Sequence, residues 1–156
     1  MHIVRNASIV LALGLAFSGA MAGEIAGSTV QSSGASNTSA GILSTARQNI
    51  GVAEQQGKIT NSRVTANNVS NTAAGLNSTA TQEVGFAKGN GVVQNSTVTA
   101  NGARNLAAGI SATASQKLGG AEGNGKLTNS TVIANNASNT AAGLNSTAAQ
   151  SIGVAR

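Results

Sequence analysis

The chain has no cysteine, proline, tryptophan or tyrosine, and only two phenylalanines among its 156 residues. Without cysteine it can form no disulfide and no thiolate site. Without aromatic bulk it cannot build the usual close-packed globular core, and alanine is the largest contributor to its apolar content. Charge is scarce as well, at 8% of residues, with no aspartate, a single histidine at His2 and four acids, Glu24, Glu54, Glu83 and Glu122. No catalytic triad, paired-carboxylate site or metal cluster can be drawn from that inventory, so neither enzymatic activity nor a cofactor is expected. The low charge and a mean hydropathy of +0.05 also oppose charge-driven disorder. What remains in quantity is Gly, Ala, Ser, Thr and Asn, a composition suited to repetition.

The N-terminus reads as a secretory signal. A short basic start, Met1 to Arg5, precedes the apolar run Ile9 to Phe17 and the small-x-small stretch Ala20-Met21-Ala22, which places cleavage after Ala22. The apolar run is too short to span a bilayer. Residues 1–22 are therefore expected to be a signal peptide, and residues 23–156 a secreted, repetitive domain with no transmembrane segment.

That domain repeats every 34 residues, in units of about 27–60, 61–94, 95–128 and 129–156. Val30, Val64, Val98 and Val132 align, as do Asn37, Asn71, Asn105 and Asn139, and Gln48, Gln82, Gln116 and Gln150. Two glycine columns keep the same phase: Gly41, Gly75, Gly109 and Gly143, then Gly51, Gly85, Gly119 and Gly153. There are no insertions or deletions, as stacked strands require, because one extra residue would flip every following side chain to the other face.

Within a unit the period is two. From Leu76, the alternate residues Leu76, Ser78, Ala80, Gln82, Val84 and Phe86 are expected to face inward. An earlier β-branched stretch, Ile59 to Ala66, forms the other strand, with a bend at Ala73-Ala74-Gly75 and return turns at Gly89-Asn90-Gly91 and Gly123-Asn124-Gly125. Each unit thus reads as two strands and two turns, a β-arch. A 34-residue period also fits helical hairpin arrays, but those need large apolar knobs, and Asn, Thr, Ser and Gly are poor helix formers. The expected fold is all-β, a solenoid or cross-β stack of four β-arch repeats with turns ~4.8 Å apart.

Charges support the stacking. Glu54, Lys88, Glu122 and Arg156 form a column of alternating sign, Glu83 lies beside Lys117, and Glu24 beside Lys58. Like charges never occupy adjacent turns. Such pairs are worth only ~0–1 kcal/mol each when exposed, so they specify register more than they stabilise. Open strand edges at the two ends of a four-turn stack would template another copy, with Arg156 meeting Glu54 of the next.

The stretches Asn71-Thr72-Ala73-Ala74-Gly75-Leu76-Asn77 to Gln82 and Asn139-Thr140-Ala141-Ala142-Gly143-Leu144-Asn145 to Gln150 resemble the repeats of secreted bacterial functional amyloids, curli and, more closely, Fap fibres. The resemblance implies a biofilm-matrix fibre subunit exported across a Gram-negative envelope to the cell surface. It also implies self-association as partner, a related nucleator or major subunit, and an outer-membrane export system. The stacked amides would then be the Asn37 and Gln48 columns. The spacing from Asn71 to Gln82 is longer than in curli, curli's aromatics are absent, and there is no C-terminal cysteine pair of the kind some Fap subunits carry.

Other readings fit the residues less well. Asn-x-Ser/Thr sites at Asn77, Asn95, Asn129 and Asn145 follow from composition. A flat Thr-x-Thr ice-binding face at Thr79/Thr81 and Thr97/Thr99 is broken in the other units, for example at Arg47 and Ile133. A non-amyloid surface adhesin is the main alternative, although trimeric adhesin heads have shorter repeats. A calcium-binding nonapeptide solenoid is excluded by the absence of Asp. The +5 net charge is scattered without aromatic partners, so no specific nucleic-acid binding is expected.

Overall fold

Four successive turns of 34 residues wind into a β-solenoid in the computed structural model, which describes residues 23–156; the expected signal peptide at 1–22 lies outside the described residues. The first turn holds β1 (Glu24–Ala26), β2 (Thr29–Ser33), β3 (Ser36–Ala40) and β4 (Thr45–Ile50). The second holds β5 (Lys58–Thr60), β6 (Arg63–Asn67), β7 (Ser70–Ala74) and β8 (Thr79–Val84). The third holds β9 (Val92–Gln94), β10 (Thr97–Asn101), β11 (Arg104–Ala108) and β12 (Thr113–Leu118), and the fourth β13 (Lys126–Thr128), β14 (Thr131–Asn135), β15 (Ser138–Ala142) and β16 (Thr147–Ile152). Equivalent strands pair in parallel into four four-stranded sheets, and every register is an offset of 34, as in Val64↔Val98 and Asn71↔Asn105.

The turn is thus four-sided, where the sequence suggested two strands. Left-handed residues account for the difference. Asn61 (φ 50°) breaks the Ile59–Ala66 stretch into β5 and β6, and Asn68 (φ 50°) separates β6 from β7. Each recurs as a column: Gly27, Asn61, Asn95 and Asn129 at one corner, and Gly34, Asn68, Gly102 and Asn136 at the next, all at positive φ. Asn and Gly tolerate this conformation at little cost, so much of the chain's Asn and Gly content is corner chemistry. The bend expected at Ala73-Ala74-Gly75 lies slightly later: both alanines belong to β7, and Gly75 and Asn77 carry the positive φ. The return turns form at Asn90 and Asn124 as expected.

Three apolar strips run up the stack. One gathers Val64, Val69, Val84, Val98 and Leu118. A second is made only of alanines, including Ala46, Ala73, Ala80, Ala107 and Ala114, where the β3/β7/β11 and β4/β8/β12 sheets face each other. A third joins Ile59, Val93 and the corner alanines Ala53, Ala87 and Ala121. Methyl-sized side chains let two sheets close on each other, which is how a chain with one buried aromatic, Phe86, still fills its interior. Leu76 departs from the expected inward face: it sits past β7 on the outside of a corner and is 43% exposed, whereas Ser78, Ala80, Gln82, Val84 and Phe86 are buried.

Candidate functional site

The inward-facing amides build the most ordered feature of the molecule. Asn37 Nδ2 donates to Asn71 Oδ1, Asn71 to Asn105 and Asn105 to Asn139, at 2.8–2.9 Å. Each asparagine also donates across the alanine layer to a carbonyl ten residues on, as Asn71 does to Thr81 and Asn105 to Ser115. Carbonyls only accept, so these bonds fix which end of each amide is nitrogen. The ladder therefore has a direction: each turn donates to the one after it.

The glutamines run the other way. Gln82 Nε2 donates to Gln48 Oε1 at 2.6 Å, Gln116 to Gln82 at 2.6 Å, and Gln150 to Gln116 at 2.8 Å. The Ala103 carbonyl, accepting from Gln116 Nε2, pins that orientation. A third ladder, Asn135 to Asn101 to Asn67, shares the glutamine direction. Within the middle turns the Asn71, Asn105, Gln82 and Gln116 amides are buried, whereas Asn67 and Asn101 are half-buried, and an unpartnered buried amide would cost about 1–3 kcal/mol.

The two glycine columns meet different constraints. A Cβ at Gly75, Gly109 or Gly143 would lie 1.7, 1.6 or 1.5 Å from the carbonyl oxygen of the glycine one turn earlier. At Gly51, Gly85 and Gly119 it would lie 2.6, 2.5 and 2.4 Å from a methyl of Val64, Val98 and Val132, one turn later. The outermost members, Gly41 and Gly153, meet nothing within 4 Å.

The charge column is punctuated. Lys88 Nζ lies 3.0 Å from Glu54 and 2.9 Å from the buried Glu83, whose Oε2 has no well-aligned hydrogen bond and is held by that charge. Glu122 turns to Lys117 at 2.8 Å and to Arg156 at 3.5 Å. Glu83 and Lys117 are register partners, yet each pairs elsewhere, and Lys117 also sits 5.2 Å from the Phe86 ring centroid. Burial pulls the Lys88 pKa down, but its close contacts with Glu83 and Glu54, with their charges, raise it above its ordinary 10.5.

Sequence reasoning missed three columns. Ser28, Ser62, Ser96 and Ser130 link the turns: the Ser62, Ser96 and Ser130 hydroxyls each accept the backbone N–H of the serine one turn earlier, at 3.1–3.2 Å. The Asn67, Asn101 and Asn135 ladder was not singled out either. Nor was the bonding of Ser78, expected only to face inward, whose single hydroxyl proton lies in reach of both the Gly75 and Ala108 carbonyls. Identity at one repeat position, as in the four serines, was the available signal.

The two inward amide ladders stop at Asn37 and Gln48 in the first turn and at Asn139 and Gln150 in the fourth, and at the fourth turn burial falls away too. The inward positions of β14 are only half-buried and most of β16 is exposed, unlike β6, β10, β8 and β12. Among the described residues nothing covers either end, and no group of three His, Cys, Asp or Glu side chains could hold a metal ion. Compared with protein-family models, curated proteins and solved structures, the chain matches none.

Proposed function

We propose that the chain is a secreted structural subunit that stacks end to end, in register, into extracellular fibres of a biofilm matrix or cell surface. Its principal partner is another copy of itself, with a related nucleator or major subunit and an outer-membrane export system as accessories. The observation that carries this reading is the opposed direction of the amide ladders. A copy placed one 34-residue step beyond the fourth turn would set the Asn139 donor on the Asn37 acceptor, and the Gln48 donor on the Gln150 acceptor. Charge agrees: Arg156 would meet Glu54, and Lys126 would meet Glu24. Stacking two like ends with each column on its own counterpart would oppose donor to donor at one amide column and acceptor to acceptor at the other, and only the head-to-tail step keeps the 34-residue register, so growth is polar.

The test exploits Gly153, where a side chain has open space in the single subunit and φ is +64°. Asparagine tolerates that conformation. In a stack, Val30 of the next copy would stand where Val64, Val98 and Val132 crowd the equivalent glycines. The Gly153→Asn variant is expected to fold like wild type and not to elongate. Wild type from Gly23 onward is expected to give lag-phase thioflavin growth and a ~4.8 Å axial reflection. A stable wild-type monomer showing neither overturns the reading and favours a surface-adhesin solenoid, and Gly153→Asn fibres growing at the wild-type rate would also sink it.

A further inference from the structure

Outside the ladders, one corner carries an apolar stripe that belongs to none of the three buried strips. Ile42, Leu76, Ile110 and Leu144 occupy one repeat position and are 77%, 43%, 45% and 68% exposed. The middle two lie in turns whose inward side chains are fully covered, so they are exposed because they point outward. No other position places a large aliphatic outside in all four turns, and soluble proteins rarely maintain such a row without a partner.

We propose that this stripe is a lateral docking edge by which one stack of the chain pairs with a second stack of the same chain; the proposal rests on the stacking reading above. Three observations commit it to that occupant. Spacing is the first: the stripe offers one branched side chain per turn, every ~4.8 Å, and a partner fitting every gap needs the same rise, which a second copy has by construction. Charge is the second. Lys and Arg outnumber acids in residues 23–156 by eight (Arg47, Lys58, Arg63, Lys88, Arg104, Lys117, Lys126, Arg156) to four, so two stacks repel in general. Residues 40–45 and their equivalents at 74–79, 108–113 and 142–147 contain no charged residue in any turn, which makes this corner the edge where two like-charged stacks can touch.

Area is the third. A half-exposed aliphatic side chain presents roughly 80 Å², so one subunit offers ~320 Å² at inner-turn exposure, well under the ~800 Å² per partner of a stable interface. Two to three stacked subunits reach that size. The stripe therefore leaves a free subunit monomeric and becomes adhesive only as a stack lengthens, because each added copy contributes another contact already held in register.

The test compares wild type with a variant carrying Ile42→Thr, Leu76→Thr, Ile110→Thr and Leu144→Thr, using circular dichroism to check the fold. Growth is followed by thioflavin, and mass per unit length by dark-field electron microscopy. Wild-type fibres are expected to have at least twice the mass per length of single stacks, and the variant to elongate at a similar rate as single stacks. A second variant, Ile110→Lys, is expected to give single stacks at low salt and paired ones at high salt. Variant fibres that pair as wild type does would overturn this proposal and leave stacking intact. Single wild-type stacks that bind phosphatidylcholine vesicles through the same residues would overturn it in favour of a lipid surface. If neither chain forms filaments, stacking fails and lateral pairing fails with it.

Discussion

Phe86 fills the space that a side chain at Gly120 would need: a Cβ at position 120 would lie 2.1 Å from Phe86 Cε2. The two residues share one repeat position in adjacent turns, and the outer turns carry Val52 and Val154 there. One large and one absent side chain thus replace two medium ones. Gly120→Val is expected to destabilise by about 2–3 kcal/mol through overpacking, and Phe86→Val by about 2–4 kcal/mol through the cavity it leaves. The double variant restores the Val column, and its cost should fall well below the sum of the singles. Denaturant unfolding of the four proteins checks this; additive losses would show that the two positions are not packed as one unit.

Asn105 and Asn139 occupy the same ladder but differ in surroundings. Asn105 is buried, accepts from Asn71 and shares its two amide protons among Asn139 Oδ1 and the Ala80 and Ser115 carbonyls. Removing it leaves several buried groups without partners, so Asn105→Ala should cost about 3 kcal/mol. Asn139 lies in the end turn, half-open to water, and Asn139→Ala should cost about 1 kcal/mol in a single subunit. The comparison belongs in the Gly153→Asn background, where stacking is expected to be blocked. Equal losses at the two positions would contradict the burial gradient from middle to end.

The 34-residue register, the parallel stacking and the inward amides were legible because they depend on periodicity, which identical residues at fixed spacing display directly. The number of sides per turn was not. It depends on which Asn residues take positive φ, and Asn is common enough here that corner asparagines such as Asn61 and Asn68 do not stand apart from ladder asparagines such as Asn71. Leu76 misled for a related reason. It continues the two-residue alternation of β8, but Gly75 and Asn77 bend the chain between them and turn it outward. The ion pairs could not be read from columns alone, because a lysine reaches diagonally. Lys88 contacts Glu83 as well as its column neighbour Glu54.

Leu43 is a strained member of a polar corner. It holds φ 63°, where the equivalent positions are Asn77, Ser111 and Asn145, and it is 68% exposed. A leucine pays for the left-handed conformation and gains little packing there. Leu43→Asn should stabilise the fold by about 0.5–1 kcal/mol, read as a higher denaturant midpoint with an unchanged slope. An unchanged or lower midpoint would show that the side chain's contacts outweigh the strain.

Lys88 gives the fold an alkaline limit. Its native pKa lies above the ordinary 10.5 because Glu83 and Glu54 favour the ammonium more than burial opposes it. The native state therefore holds this proton more tightly than the unfolded chain does. Its contribution is fully present below pH 10.5 and is lost as pH rises through the raised native value. Other lysines titrate in the same range, so the informative comparison is with Lys88→Met/Glu83→Gln, which removes the pair without leaving Glu83 buried and uncompensated. Between about pH 10 and 12, wild type should lose thermal stability more steeply than that double variant; parallel curves would mean the ion pair adds nothing. At neutral pH, Lys88→Glu would place a third carboxylate between Glu54 and Glu122 and beside buried Glu83. It should destabilise the subunit and slow fibre growth at low salt, with partial recovery at high salt, because salt screens the exposed members of the column and leaves the repulsion at Glu83 largely intact.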